Sequence, residues 1–168
     1  ITAAYAAAEV EPAERTSVER VLSAVGPLVW LDDEAQMDAV TAVSGSGPAY
    51  FFLLIEALED AGAALGLPRA TARLLAVHTA LGAGRSATSW AIDSAVTALS
   101  GSGPAYFFLL VEALEDAGAA LGLPRTTARL LAVHTALGAG RLAAASADPP
   151  AVLREQVTSR GGTTAAAL

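Results

Sequence analysis

The sequence predicts an all-α fold, a helical bundle with at most a short strand remnant near residues 28–31, and three observations predict it. Of 168 residues, 54% are hydrophobic and 16% charged, which excludes intrinsic disorder, and much of the apolar content is alanine, the best helix former. Apolar residues recur at helical spacing between glycine and proline stops. The third observation is a repeat. AVTAVSGSGPAYFFLLIEALEDAGAALGLPRATARLLAVHTALGAGR, residues 39–85, returns as residues 95–141 with only Val43, Ile55 and Ala70 replaced, by Leu99, Val111 and Thr126, at a period of 56. Mature solenoids diverge between units and need three or more of them, so two near-identical copies read as a duplication. The chain divides into a lead-in (1–38), a first helical copy (39–85), a junction SATSWAIDS (86–94) and a second copy with its tail (95–168).

Taken in order, ITAAYAAAEVEP is small and apolar. Pro12 and Glu14 open a helix, ERTSVERVLSAVG, with Val18, Val21, Leu22 and Val25 on one face and Gly26 as its stop. LVWL reads as a short strand after Gly26 and Pro27. DDEAQMDAVTAVSG reads as a helix with acidic residues at its start, where the dipole favours them. SGSGPAY resembles a phosphate loop only weakly. A dinucleotide fingerprint needs a preceding strand and a third glycine, and Tyr50 stands in the third glycine's place. The simpler reading is a tight helix-to-helix turn with Ser46 or Gly47 near the cap and Pro48 in the first turn. The next helix begins AYFFLLI, apolar on all sides, which places Phe51, Phe52, Phe107 and Phe108 in a core or a subunit interface. Glu59 and Asp60 read as solvated. Gly66 ends that helix and Pro68 restarts the chain. RATARLLAVHTALGAGR then forms another helix, whose Gly82 and Gly84 permit close packing. In the tail, Pro149 and Pro150 open a short helix through Val157, followed by the glycine-rich turn TSRGGTT.

Composition excludes several functions. A net charge of −7 without a Lys/Arg run argues against a nucleic-acid partner. The absence of cysteine removes thiolate chemistry and Cys-ligated zinc, and fits a cytoplasmic location. Mean hydropathy is +0.49. The longest charge-free stretch, Ala39 to Ile55, is interrupted by SGSGP, so no membrane span is expected. The N-terminus lacks the pattern of a signal peptide, and Ile1 leads to the expectation that the chain begins inside a longer protein. His78 and His134 are one residue seen twice; without a second ligand at helical spacing each reads as a packed core histidine, and no metal is assigned. Glu56 and Glu112 would need a converging second carboxylate for acid/base work.

AVTALSGSGPAYFFLLVEALEDAGAALGLPR, the helix ending GAGR, and then REQVTSRGGTT resemble, in order and spacing, the C-terminal helical domain of the pyrroline-5-carboxylate reductase family. Residues 1–38 look like the end of that family's cofactor domain and the lead-in to the helical one. The resemblance implies proline biosynthesis: hydride transfer to the C=N bond of a cyclic imino acid, with NADP or NAD bound mainly by an N-terminal Rossmann-like domain that precedes this stretch. By the same resemblance this chain is a C-terminal fragment, inactive alone. It also implies a homodimer or higher homo-oligomer built through interlocked helices.

For the tail, a glycine turn at a helix start can bind an anion through successive backbone N–H groups. By the resemblance, the Ser159 hydroxyl and the N–H groups of Gly162 and Thr163, in the turn formed with Gly161, hold the substrate carboxylate. Thr164 is then the catalytic residue, its hydroxyl reaching the ring nitrogen to donate a hydrogen bond or proton. Gln156 and Val157 correspond to positions lining the nicotinamide end. Arg160 stands where the family has proline. Read without the family, TSRGGTT is a helix N-cap turn with no ligand. A second function class, a non-catalytic helical association module, stands beside the reductase. The duplication itself leads to an internal pseudo-dimer in which the two AYFFLLI helices pair. The competing expectation is that the intervening helix holds the copies apart and leaves both surfaces bare.

Overall fold

The computed structural model describes residues 1–82 and 96–168, and the junction 86–94, with Gly84, lies outside them. The chain opens with a strand, β1 (Thr2–Tyr5), a helix, α1 (Pro12–Ser23), and a second strand, β2 (Leu28–Leu31). The strands pair in parallel, Thr2 opposite Leu28 through Tyr5 opposite Leu31. β2 fulfils the LVWL reading. The partner TAAY carries no β-branched alternation beyond Thr2, and its pairing is non-local, so nothing local marked it as strand. α1 has the expected capping, with Glu14 accepting from the Glu11 N–H at 3.0 Å and Pro12 in the first turn. Its apolar stripe is nevertheless uncovered: Val21 is 68% and Val25 80% exposed, and α1 has no buried residue. The Arg15 guanidinium, 4.2 Å above the Trp30 ring, ties it to β2.

The stretch read as a turn is instead part of a helix. α2 (Gln36–Val40) passes into a π-helical turn, Thr41–Gly45, and then α3 (Gly47–Ala64), with Ser46 between them in helical geometry. The Ser46 N–H reaches back five residues to the Thr41 carbonyl at 2.8 Å. A π-bulge absorbs one extra residue without breaking the helix, so glycine and proline here do not mark a stop. This corrects the premise of the membrane argument. Gln36–Ala64 is 29 residues long, with an 18-residue window of mean hydropathy 1.2, long and apolar enough to cross a bilayer; 44% of that window is buried inside the fold. Val43, Phe51, Phe52 and Ile55 lie in the core, each side chain contributing about 1.5–3 kcal/mol by burial.

α3 ends where the sequence predicts. Gly66 takes φ +95° and the Leu67 N–H bonds the Gly62 carbonyl at 3.0 Å, the pattern of a left-handed helix cap. α4 (Arg69–Ala80) follows. The second copy repeats the scheme with a π turn at Thr97–Gly101, α5 (Gly103–Ala120) and α6 (Arg125–Ala145). The tail adds α7 (Pro150–Gln156) and α8 (Thr163–Ala167).

The two copies interlock with pseudo-two-fold contacts. Phe51 and Phe107 stack at 6.2 Å and 7°. Gly47 faces the methyl of Thr135, and the matching Gly103 faces the methyl of Thr79; a Cβ on either glycine would lie 2.6 Å from that carbon. Gly62 packs on Leu99, and its counterpart Gly118 on Val43. The interface hydroxyls are satisfied, Thr135 donating to Ser44 Oγ and Thr79 to the Leu99 carbonyl, both at 3.0 Å.

Several individual expectations change. Phe51, Phe52 and Phe107 are core, but Phe108 is 72% exposed. Glu59, read as solvated, is 7% exposed, because Arg69 Nη1 meets its Oε1 at 2.8 Å. His78 is exposed and His134 half-buried, so neither is a core histidine. HTALGAGR continues as helix in α6, through Gly138 and Gly140, but after α4 Gly82 turns left-handed at φ +73°.

Candidate functional site

The tail is fastened chiefly to the first copy, although it directly follows the second. Leu153 of α7 is buried, and Arg154 Nε donates to Glu56 Oε2 of α3 at 3.1 Å. Arg73 of α4 grips the preceding turn, donating to the carbonyls of Ala147 at 3.3 Å and of Ser146 and Asp148. The chain then turns through TSRGGTT. Thr158 Oγ1 bonds the Arg154 carbonyl at 2.7 Å, closing α7. Gly161 takes φ +68°, a conformation that suits glycine, and a Cβ on Gly162 would overlap the Ser159 hydroxyl.

Three hydroxyls converge where α8 meets the π-bulge. Thr164 Oγ1 donates to Ser46 Oγ at 2.9 Å, and Ser46 Oγ lies 3.1 Å from Thr163 Oγ1. Thr164 is 5% and Ser46 2% exposed, so these two hydroxyls pair where water does not reach, whereas Thr163 is exposed. The sequence placed Thr163 and Thr164 here but missed Ser46, 118 residues from Thr164. Its one signal was the GSGP run itself. The bulge aims Ser46 at the tail.

The other expected residues are not all drawn together. Ser159 and Gly161 are exposed beside Gly162. The Gly162 N–H donates to the Ser159 carbonyl at 3.1 Å, which closes the turn. The Thr163 N–H sits in the first turn of a helix, where N–H groups lack intrahelical partners. Gln156 points elsewhere, its Nε2 3.2 Å from Asp148 Oδ2. Val157 lines a cavity of about 230 Å³ with Ser44, Phe52, His134 and Thr135. A larger cavity of about 530 Å³ lies beside α4, lined by Glu59, Arg69, Arg73, His78 and Ala147. Its charged groups are already engaged. Arg69, hydrogen-bonded to Asp60 and then Glu59, has its pKa raised, and Arg73 is committed to the tail. Volume favours that cavity; chemistry favours the hydroxyl cluster.

The described residues do not fit a dinucleotide. Neither β1 nor β2 leads into a glycine-rich turn, and Gly45–Ser46–Gly47 continue a helix. Among the described residues no three His, Asp or Glu side chains gather as metal ligands.

With this geometry in hand, comparison with known proteins gives a consistent result. A family model described as pyrroline-5-carboxylate reductase dimerisation matches twice, over residues 34–93 and 90–168. A pyrroline-5-carboxylate reductase of Pseudomonas aeruginosa is 58% identical over 91 residues, 54% of this chain and 33% of its own length. One from Mycobacterium tuberculosis is 40% identical over 160 residues, 95% of this chain and 40% of its own. One from Arabidopsis thaliana is 55% identical over 74 residues, 44% and 27% respectively. The chain therefore spans about a quarter to two fifths of the length of these relatives. No solved structure matches it. Two matches of the family model, one to each interlocked helical copy, show that the chain belongs to the pyrroline-5-carboxylate reductase dimerisation family.

Proposed function

We propose that this chain is the helical, substrate-side and dimerising part of a pyrroline-5-carboxylate reductase, the enzyme that reduces 1-pyrroline-5-carboxylate to L-proline. The observation that carries the reading is the packing of Thr163 and Thr164 against Ser46 of the other helical copy. It supports a substrate site formed between two helical units. NADH or NADPH, which supplies the hydride when bound, is assigned to a separate cofactor domain, because the residues described here do not fit it. This chain's own residues act on the imino acid. The Ser159 hydroxyl and the Thr163 N–H are proposed to hold its carboxylate, with the turn shaped by Gly161 and Gly162. Thr164 gives its proton to Ser46, so its oxygen keeps a lone pair for the N–H of the protonated imine. That contact would orient the ring for attack at the adjacent carbon. Val157 would close the apolar side, whereas Gln156 reaches the cofactor end only by leaving Asp148.

The net charge of −7 argues against nucleic acid as a partner; a small imino acid and copies of the helical unit are the partners proposed. Burial of Val43, Phe51, Phe52 and Ile55 within the fold supports a helix that stays off the membrane.

The test uses the chain as it is. L-Proline titrated into labelled protein should shift the Ser159 and Thr163 amides saturably, prolinamide should not, and Ser159→Ala should weaken the response. No saturable shift, or an equal one with prolinamide, refutes carboxylate recognition. NADPH and pyrroline-5-carboxylate should give no turnover above buffer; turnover would place the cofactor site in this chain and overturn the assignment. A non-catalytic association module is the second reading, favoured by one observation. The Phe51–Phe107 stack joins the copies through apolar side chains of the chain itself. Intact pairing with no proline response would select it.

A further inference from the structure

The two copies present the same four side chains at matching positions, and among the described residues only the first set is occupied. In the first copy Ser46 meets Thr163 and Thr164, Phe52 is fully buried beside Val157, Glu56 pairs with Arg154, and Arg73 holds the carbonyls of residues 146–148. Their counterparts in the second copy, Ser102, Phe108, Glu112 and Arg129, are all exposed. Phe108 is 72% exposed where Phe52 is 0%, and Tyr106 and Leu109 beside it are 49% and 62% exposed. Large exposed apolar side chains of this kind, on a helix that also exposes a carboxylate and a hydroxyl and is followed by an exposed guanidinium, mark an interaction surface.

We propose that this face of α5 is a second docking site for a peptide segment of the same chemistry as residues 146–168: a short helix with a buried leucine, an arginine one residue later, and a glycine turn leading to paired threonines. The first copy shows how an almost identical surface receives such a segment. Across the facing helices α3 and α5 the sequences differ only at Ile55 and Val111. On docking, the leucine covers Phe108, the arginine reaches Glu112, Arg129 takes the carbonyls before the helix, and the threonine hydroxyls meet Ser102. The occupant comes from a separate polypeptide. Each chain carries one such segment, already seated on α3, and a second copy that lent its own would bare an equal surface. The inference stands apart from the proposed reduction, since docking needs neither substrate nor cofactor.

The probe is a synthetic peptide of residues 146–168, titrated into the full chain by calorimetry. The expected result is saturable one-to-one binding, weakened about fivefold or more by Glu112→Arg in the chain and recovered when the peptide carries Arg154→Glu. Glu112 is exposed, so the variant is not expected to disturb folding. Absence of saturable binding overturns the proposal, and so does binding indifferent to Glu112→Arg. Binding that responds to Glu56→Arg instead is exchange for the chain's own tail and also overturns it. A mass that rises with concentration and returns to monomer on Phe108→Ser, without peptide binding, means a second copy covers the face, and overturns it too.

Discussion

Replacing Gly47 by alanine tests the interlock of the copies, because two effects of known sign compete there. An alanine inside a helix is favoured over glycine by up to about 1 kcal/mol, and by less at a first-turn position such as this. Against that, the new Cβ would lie 2.6 Å from Thr135 Cγ2. Thr135 is 5% exposed and pinned through its hydroxyl to Ser44 Oγ at 3.0 Å, so rotating the methyl away forfeits a bond of about 1 kcal/mol. Overpacking of this kind costs about 1–3 kcal/mol, and the net expectation is destabilisation by about 1–2 kcal/mol. Thr135→Ser removes the offending methyl and keeps the hydroxyl, at about 1 kcal/mol for the lost group. The double variant should then be no less stable than Thr135→Ser alone, giving a coupling of about 1–3 kcal/mol in a double-mutant cycle. Urea unfolding of the four proteins measures this, provided the denaturant slope is unchanged across them. A stabilising Gly47→Ala, or strictly additive effects, would refute the contact and with it the pairing of the copies.

Two further predictions use the duplication as its own control. Phe52→Ala should cost about 3–5 kcal/mol, whereas the same change at Phe108, 72% exposed, should stay within about 0.5 kcal/mol, both read by urea unfolding. Gly138→Ala lies inside α6 with nothing within 4 Å of the new Cβ and should raise stability by about 1 kcal/mol, while Gly82→Ala, at φ +73°, should lower it by about 1–2 kcal/mol; equal signs would refute the different ends assigned to HTALGAGR.

Much of the helical scheme was legible because its punctuation is local. Gly66 and Pro68 mark a helix end and a restart, and both copies obey them with the same φ of +95° at Gly66 and Gly122. The same rule fails at SGSGP, because a π-bulge lets a helix accept glycine and an extra residue without stopping. Thr2–Tyr5 was invisible as strand since its partner lies 26 residues on and the pairing is parallel. The charge of Glu59 pointed to solvent, but Arg69 ten residues away supplies the counter-charge that permits burial. HTALGAGR shows the limit most directly. The string is helix throughout in the second copy, whereas in the first its fifth residue, Gly82, is already left-handed, so the conformation of the shared HTALG is decided by what surrounds it.

The site was legible to the same degree. TSRGGTT announces a turn leading into a helix, and the structure has both, with the positive φ at Gly161. What the tail rests on was not legible, because Ser46, Glu56 and Arg73 belong to the other copy and are reached only through the interlock. That placement has a mechanical consequence. A tail that packs on its own copy would complete its hydroxyl cluster within one helical unit; a tail that crosses cannot. Here Thr164 finds Ser46 only because the Phe51–Phe107 stack and the glycine–threonine contacts bring a second unit alongside. Forming the cluster and pairing the units are therefore one event. Any change that separates the copies should dismantle the candidate site even if every residue of TSRGGTT is left untouched.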